Sequence, residues 1–356
     1  MFNIKLNIIL QMTYIISLLI TTTLQLLLLN KAEKIANYIN LVDKPDRLRK
    51  FQKKPTPLIG GLIICLILFL NLFFLRLSSD LFIENIFIYL FPIITLIGLI
   101  DDKYDLTANV KFLITILFFL IFFYFYEDLI IKELRFSSFA YVQNIFEFMS
   151  IPLTILCCLL LTNSINMIDG KNGLCTSTQL IILSFIGFYI MKESYLNYGY
   201  INFKDKNLYL IFLYSLLLFI FLFFNLKGLI FLGDAGAFLG SFIIIYLILD
   251  VYSNNSPVLK CEQIFFLLIL PGIDMLRVFI YRLINKKNPF KGDNEHLHHL
   301  LEQKLKSHKK ITLILSLGLI IPNLIIIFYS TKMLIFLIIY LLIYSLSIRY
   351  LYKIKT

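Results

Sequence analysis

Asp101 and Asp102 stand side by side directly after the apolar run Leu96-Ile97-Gly98-Leu99-Ile100, with Asp105 one turn further on. Adjacent carboxylates repel each other. Such pairs are commonly stabilised by a hard cation, and Mg²⁺ takes one or two carboxylates and fills the rest of its shell with water and phosphate oxygens. A solvated helix end is the plainer reading, and the pair alone does not separate the two.

Four more segments carry polar residues that a lipid anchor does not need. Asn163, Asn166 and Asp169 recur every three residues, so they share one face at the end of an apolar run. Gly170 and Gly173 follow, and they permit the tight turn and close backbone approach that phosphate-binding loops use; a capped turn explains Asp169 but not Asn163 and Asn166. Asn225 opens the next segment, in which Asp234 lies between Gly233 and Gly236, a candidate metal ligand that phosphate oxygens could approach. Phe231 could stack a uracil or belong to the core. Gly236 and Gly240 equally suit small-xxx-small helix packing, within one chain or between two, so a homodimer stays open.

His296, His298 and His299 are three of only four histidines, packed into a basic stretch. Zinc is the obvious rival ligand, yet no cysteine lies nearby and the spacing is not that of structural zinc sites. Histidines among Lys and Arg suit phosphate contact and charge stabilisation better. The remaining basic segment, Asp43 to Gly61, contributes Lys53.

The elements that position these residues are transmembrane helices. Hydrophobic residues make up 59% of the 356 and charged ones 15%, with a mean hydropathy of +0.85, against about 25% charged in a soluble domain. A crossing takes about 20 apolar residues, and such runs lie near 8–29, 58–77, 81–100, 109–126, 150–168, 173–191, 208–225, 236–252, 260–283, 311–329 and 332–352. The fold class is therefore all-α, a polytopic membrane protein of about eleven spans, read as a single integral-membrane domain over 1–356. The run at 260–283 is interrupted by Pro271-Gly272, which predicts a broken helix near Pro271. An interfacial segment with Asp274, Arg277 and Tyr281 on one face should follow.

Placing alternate loops on opposite sides puts the great majority of Lys and Arg on the side that also holds the five polar clusters. By the positive-inside rule that side is the cytoplasm, with the N-terminus outside and the C-terminus inside a bacterial inner membrane. The net charge of +11 is then a matter of loops facing anionic membrane lipid, not of nucleic acid. The five cysteines are odd in number and without metal spacing, and read as reduced thiols. A secondary transporter is the rival class, but transporters place polar groups near the midplane and often show repeats, and no repeat is evident here.

Taken in order, Asp101-Asp102, Asn163-x-x-Asn166-x-x-Asp169-Gly170, Gly233-Asp234-x-Gly236 and His296-x-His298-His299 resemble the motifs of the polyprenyl-phosphate N-acetylhexosamine-1-phosphate transferases. That family includes the muramoyl-pentapeptide enzymes and the GlcNAc-1-phosphate enzymes. The resemblance implies transfer of a sugar-1-phosphate, GlcNAc-1-phosphate in the branch it favours, from a UDP-N-acetylhexosamine to undecaprenyl phosphate, with Mg²⁺ or Mn²⁺ as cofactor. It further implies Asp234 as principal metal ligand with Asp102, Asp101 and Asp169 at the catalytic centre, and Lys53 and Lys111 on the diphosphate or nucleotide. Asn163, Asn166, Asn225 and Phe231 would line the cleft, and His296, His298 and His299 would contact phosphate or sugar. Two positions depart from the pattern. Gln52 stands near where relatives carry a histidine, after Arg49-Lys50-Phe51, and Ala237 stands where a serine is usual.

Overall fold

The computed structural model describes residues 2–43, 55–78, 85–136, 142–169, 172–202, 205–253, 259–287, 295–329 and 332–355. Lys53, Gln52 and Gly170 lie outside them. In chain order the helices are α1 (Phe2–Asn30), α2 (Ala32–Ile39), α3 (Gly60–Ser78), α4 (Asn85–Tyr104), α5 (Ala108–Phe125), α6 (Glu147–Ile168) and α7 (Leu174–Tyr198). Then follow α8 (Lys206–Leu226), α9 (Gly233–Ser253), α10 (Cys261–Leu267), α11 (Ile269–Ile284), α12 (Leu297–Leu305), α13 (His308–Phe328) and α14 (Met333–Lys355). A 3-10 turn (Glu127–Leu129) and two short antiparallel pairs complete the described elements: β1 (Val42–Asp43) with β2 (Thr56–Pro57), and β3 (Glu133–Arg135) with β4 (Val142–Asn144).

Helices dominate because lipid offers the backbone no hydrogen bonds, so each apolar segment must satisfy its own. Among the described residues nine helices are long and apolar enough to cross a membrane, and α10 with α11 makes a tenth if the bent pair is one span. The eleventh expected run is α4, whose apolar stretch ends at Ile100 because Asp101, Asp102 and Lys103 occupy its last turn.

The break in α10–α11 comes earlier than the sequence predicted. The chain bends by 78° at Leu268, three residues before Pro271. Proline has no N–H to give Leu267 and its ring crowds that carbonyl, so the preceding helix must stop; in the first turn of the new helix the missing N–H costs nothing. A carbonyl near the break is taken up by a neighbour: Asn323 of α13 donates to Phe266 O at 2.8 Å.

The chain forms two compact units, 1–106 with 194–243 and 107–193 with 244–356. In the first, α3 packs on α1, α4 and α8. Polar clips lock these apolar faces, with buried Gln25 donating to Leu217 O and the Tyr209 hydroxyl to Asn71 Oδ1. The start of α9 is held by backbone approach: a Cβ on Gly61 would lie 2.1 Å from Gly236 N, and one on Gly98 2.6 Å from the Ala235 Cα. Gly236 thus serves the packing alternative at this position.

In the second unit α6 packs on α5 and α11, and α13 on α10 and α12. Helix α12 is seated by Leu297 and Leu300, which join Leu174, Ile311, Leu315 and Ile348 in one buried cluster.

Candidate active site

In the first unit the acidic pair divides its work. Asp101 is buried, and its Oδ1 accepts the Leu106 N–H at 2.9 Å, closing the turn that ends α4. Asp105 in that turn has a φ of 50°, the left-handed region that Asp tolerates better than most residues. Asp102 points to the start of α9: Oδ1 accepts the Asp234 N–H at 2.9 Å and Oδ2 the Ala235 N–H at 3.1 Å. The four leading N–H groups of a helix lack internal partners and its N-terminus is electropositive, so a carboxylate there is stabilised twice over. Gly233 makes room for this, since with φ of 74° a Cβ would sit 2.7 Å from Asp102 Oδ2.

Asp234 occupies the first turn of α9, half-buried, on the backbone that Asp102 grips. Burial first, and then the charge of Asp234, push the Asp102 carboxyl above the usual carboxylate range, against the pull of the two amide donors. This side chain lies past the apolar run of α4. Two carboxylates so placed suit a hard divalent cation, which would relieve the repulsion; Mg²⁺ needs no more than one or two of them beside substrate phosphates.

The segment leading into α9 is pinned by its backbone. Phe231 N–H donates to Pro57 O, while Gly60 and Gly61 donate to Phe231 O and Leu232 O. Phe231 is half-buried. Asn225 is buried, with its amide donating to Ile230 O at 2.9 Å, so it closes the turn before this segment.

In the second unit Asn163, Asn166 and Asp169 fall in the last turns of α6, as their spacing predicted, all half-buried. Asn163 donates back to Leu159 O, and Asp169, the C-cap, donates its N–H to Asn166 O. Lys111 sits in the first turn of α5, half-buried.

The histidines surround the start of α12. His296 is its N-cap residue, buried, as is His298, while His299 is half-buried. The rings run in series, with centroids 5.8 Å apart from His296 to His298 and 4.2 Å from His298 to His299. Among the described residues no three His, Cys, Asp or Glu side chains form a group that could hold a metal. A residue that the sequence motifs leave out of the site is Asp274 of α11. Its Oδ2 meets His296 Nδ1 at 2.9 Å, and its Oδ1 accepts from Arg277 at 2.9 Å, from the Tyr344 hydroxyl at 2.8 Å and from Leu297 N–H at 3.1 Å. The available signal was the lone acid of α11 with an arginine three residues on.

The chain is 32% identical over 295 residues to the probable undecaprenyl-phosphate N-acetylglucosaminyl 1-phosphate transferase of Bacillus subtilis, covering 80% of this chain and 76% of that one. It is 25% identical to the undecaprenyl-phosphate alpha-N-acetylglucosaminyl 1-phosphate transferases of Salmonella typhi and Escherichia coli K12, covering 81% of this chain and 75% and 76% of theirs. The sequence model of Glycosyl transferase family 4 matches residues 85–252, which run from α4 through α9 and hold Asp101, Asp102, Asp169 and Asp234. With these motifs in their expected order on an all-α membrane fold, the chain belongs to Glycosyl transferase family 4.

Proposed function

We propose that this protein transfers N-acetylhexosamine-1-phosphate, GlcNAc-1-phosphate first among them, from a UDP-sugar to undecaprenyl phosphate and releases UMP. Such a reaction would begin the membrane stage of a cell-envelope polysaccharide such as an O-antigen. The observation that carries it is the Asp102 carboxylate on the Asp234 backbone, in a chain whose relatives bear the transferase names. Mg²⁺, or Mn²⁺ in its place, when bound by Asp234 and Asp102 would neutralise diphosphate charge.

Phosphoryl transfer asks for positioning and charge neutralisation more than for covalent help. A phosphate monoester has its second pKa near 6, so the lipid nucleophile is largely ionised at neutral pH and needs no strong base. Asp102 orients the backbone of Asp234, and Asp101 shapes the turn that presents Asp102. His298 and His299 offer donors to phosphate oxygens. By resemblance, Lys53, Lys111, Asn163 and Asn166 are assigned to substrate contact and Asp169 to the catalytic centre.

The site is assigned to the cytoplasmic face of a bacterial inner membrane, by the distribution of Lys and Arg. Cysteine labelling tests this: residue 287 should resist an impermeant reagent applied from outside. The deciding assay for the reaction incubates purified protein with radiolabelled UDP-GlcNAc and undecaprenyl phosphate. Labelled lipid and stoichiometric UMP are expected, and their absence with every UDP-N-acetylhexosamine would overturn the proposal.

A further inference from the structure

We infer that Asp274 is the positioning residue of the histidine loop: its carboxylate sets the start of α12 and holds His296 with its proton on Nδ1, and so aligns His298 and His299. This rests on the reading of that loop as the phosphate-contacting part of the proposed reaction.

Four donors surround the carboxyl group. Asp274 accepts from the Arg277 guanidinium, the Tyr344 hydroxyl, the Leu297 N–H and the His296 ring, a set that favours the ionised carboxylate. A carboxylate has no proton to give. The bond to His296, at 2.9 Å, must therefore carry the hydrogen of Nδ1, whether the ring is neutral or charged. Tautomer and ring orientation are thus set together, as they are for histidines that a carboxylate orients at other sites.

The same oxygens receive the first N–H of α12, so ring and helix start share one anchor. His296 and His298 lie with their ring planes 6° apart and their centroids 5.8 Å apart, so the ring that Asp274 orients is stacked in series with the next. The anchor is itself braced from α14. Tyr344 accepts from Arg277 Nε at 2.9 Å while donating to Asp274, and the Tyr352 hydroxyl donates to Glu295, the residue before His296.

The test uses the full-length protein labelled with ¹⁵N-histidine. Four histidines give four ring patterns, and His296 is the one lost in His296→Asn, whose amide retains a donor for Asp274. The wild type should show His296 protonated at Nδ1. In Asp274→Asn the carboxamide oxygen stays with Arg277, Tyr344 and Leu297, its NH₂ turns to the ring, and the His296 proton should move to Nε2. In the lipid-linked sugar assay that variant should lose about ten-fold or more in kcat with KM for the UDP-sugar within about two-fold, the pattern of an interaction that matters in the transition state.

A wild-type His296 carrying its lone proton on Nε2, or wild-type kcat in Asp274→Asn, would overturn the inference. If that variant does not fold, Asp274→Glu replaces it, since one extra methylene displaces the anchor, and wild-type kcat there overturns it equally. Failure of the wild type to form lipid-linked sugar would instead count against the proposed function, because the ring spectra are read without substrate.

Discussion

Asp102 of α4 grips the backbone of Asp234 in α9 across 132 residues of sequence, by a 2.9 Å hydrogen bond that puts one acid in command of where the other stands. Asp102 fixes the helix start that carries Asp234, whose side chain is half-buried in the first turn of α9.

Asp234→Asn should remove turnover while leaving the fold intact, because the two bonds to Asp102 that seat α9 are donated by the backbone N–H groups of Asp234 and Ala235, which the substitution keeps. A loss of about 10²-fold or more is expected, comparable to deleting one preorganised electrostatic group. EDTA should reproduce it, with recovery on adding Mg²⁺ or Mn²⁺. Near-normal activity in either case would sink the assignment of Asp234 to the metal.

The raised Asp102 carboxyl gives a pH dependence with a definite sign. Below its elevated pKa the group holds a proton, which competes with a cation; above it the site is charged and ready. Binding of Mn²⁺, followed by electron paramagnetic resonance, should tighten several-fold between about pH 6.5 and 8.5 by this competition. The dependence should flatten in Asp102→Asn, and a flat wild-type profile would show that Asp102 is not coupled to the ion.

Two glycines separate close packing from backbone freedom. A Cβ at Gly98 would lie 2.6 Å from backbone atoms of Ala235, whereas one at Gly272 would meet nothing within 4 Å. Gly98→Ala should cost about 1–3 kcal/mol as overpacking does, with a fall in turnover as the start of α9 shifts. Gly272→Ala should be neutral or stabilise by about 0.4–1 kcal/mol, because it restricts the unfolded chain. Melting curves in detergent compare the two, and equal effects would contradict the packing account.

The histidines allow a decision between phosphate contact and structural zinc. His298→Ala should lower kcat about 10²-fold or more if the ring stabilises phosphate charge, and elemental analysis of the wild type should find no stoichiometric zinc. About one zinc per chain, together with loss of melting temperature before loss of activity, would assign the loop to metal instead.

The sequence alone determined the helical membrane fold, because apolar runs long enough to span are a local property, and it located the acids and amides at the ends of those runs. It also placed Asn163, Asn166 and Asp169 on one face, since three-residue spacing needs nothing beyond helix geometry. Tertiary structure decided the partners. Nothing local says that Asp102 will hold α9, that Asp274 will meet His296 twenty-two residues on, or that Tyr344 will brace it from α14. The bend at Leu268 rather than Pro271 belongs to both, for proline stops the helix before it through its own missing N–H, while a partner for the Phe266 carbonyl had to come from Asn323 on a neighbouring helix. Gly61 and Gly98 were silent in the sequence for the same reason: a glycine shows its use only when another backbone comes close enough to need the space.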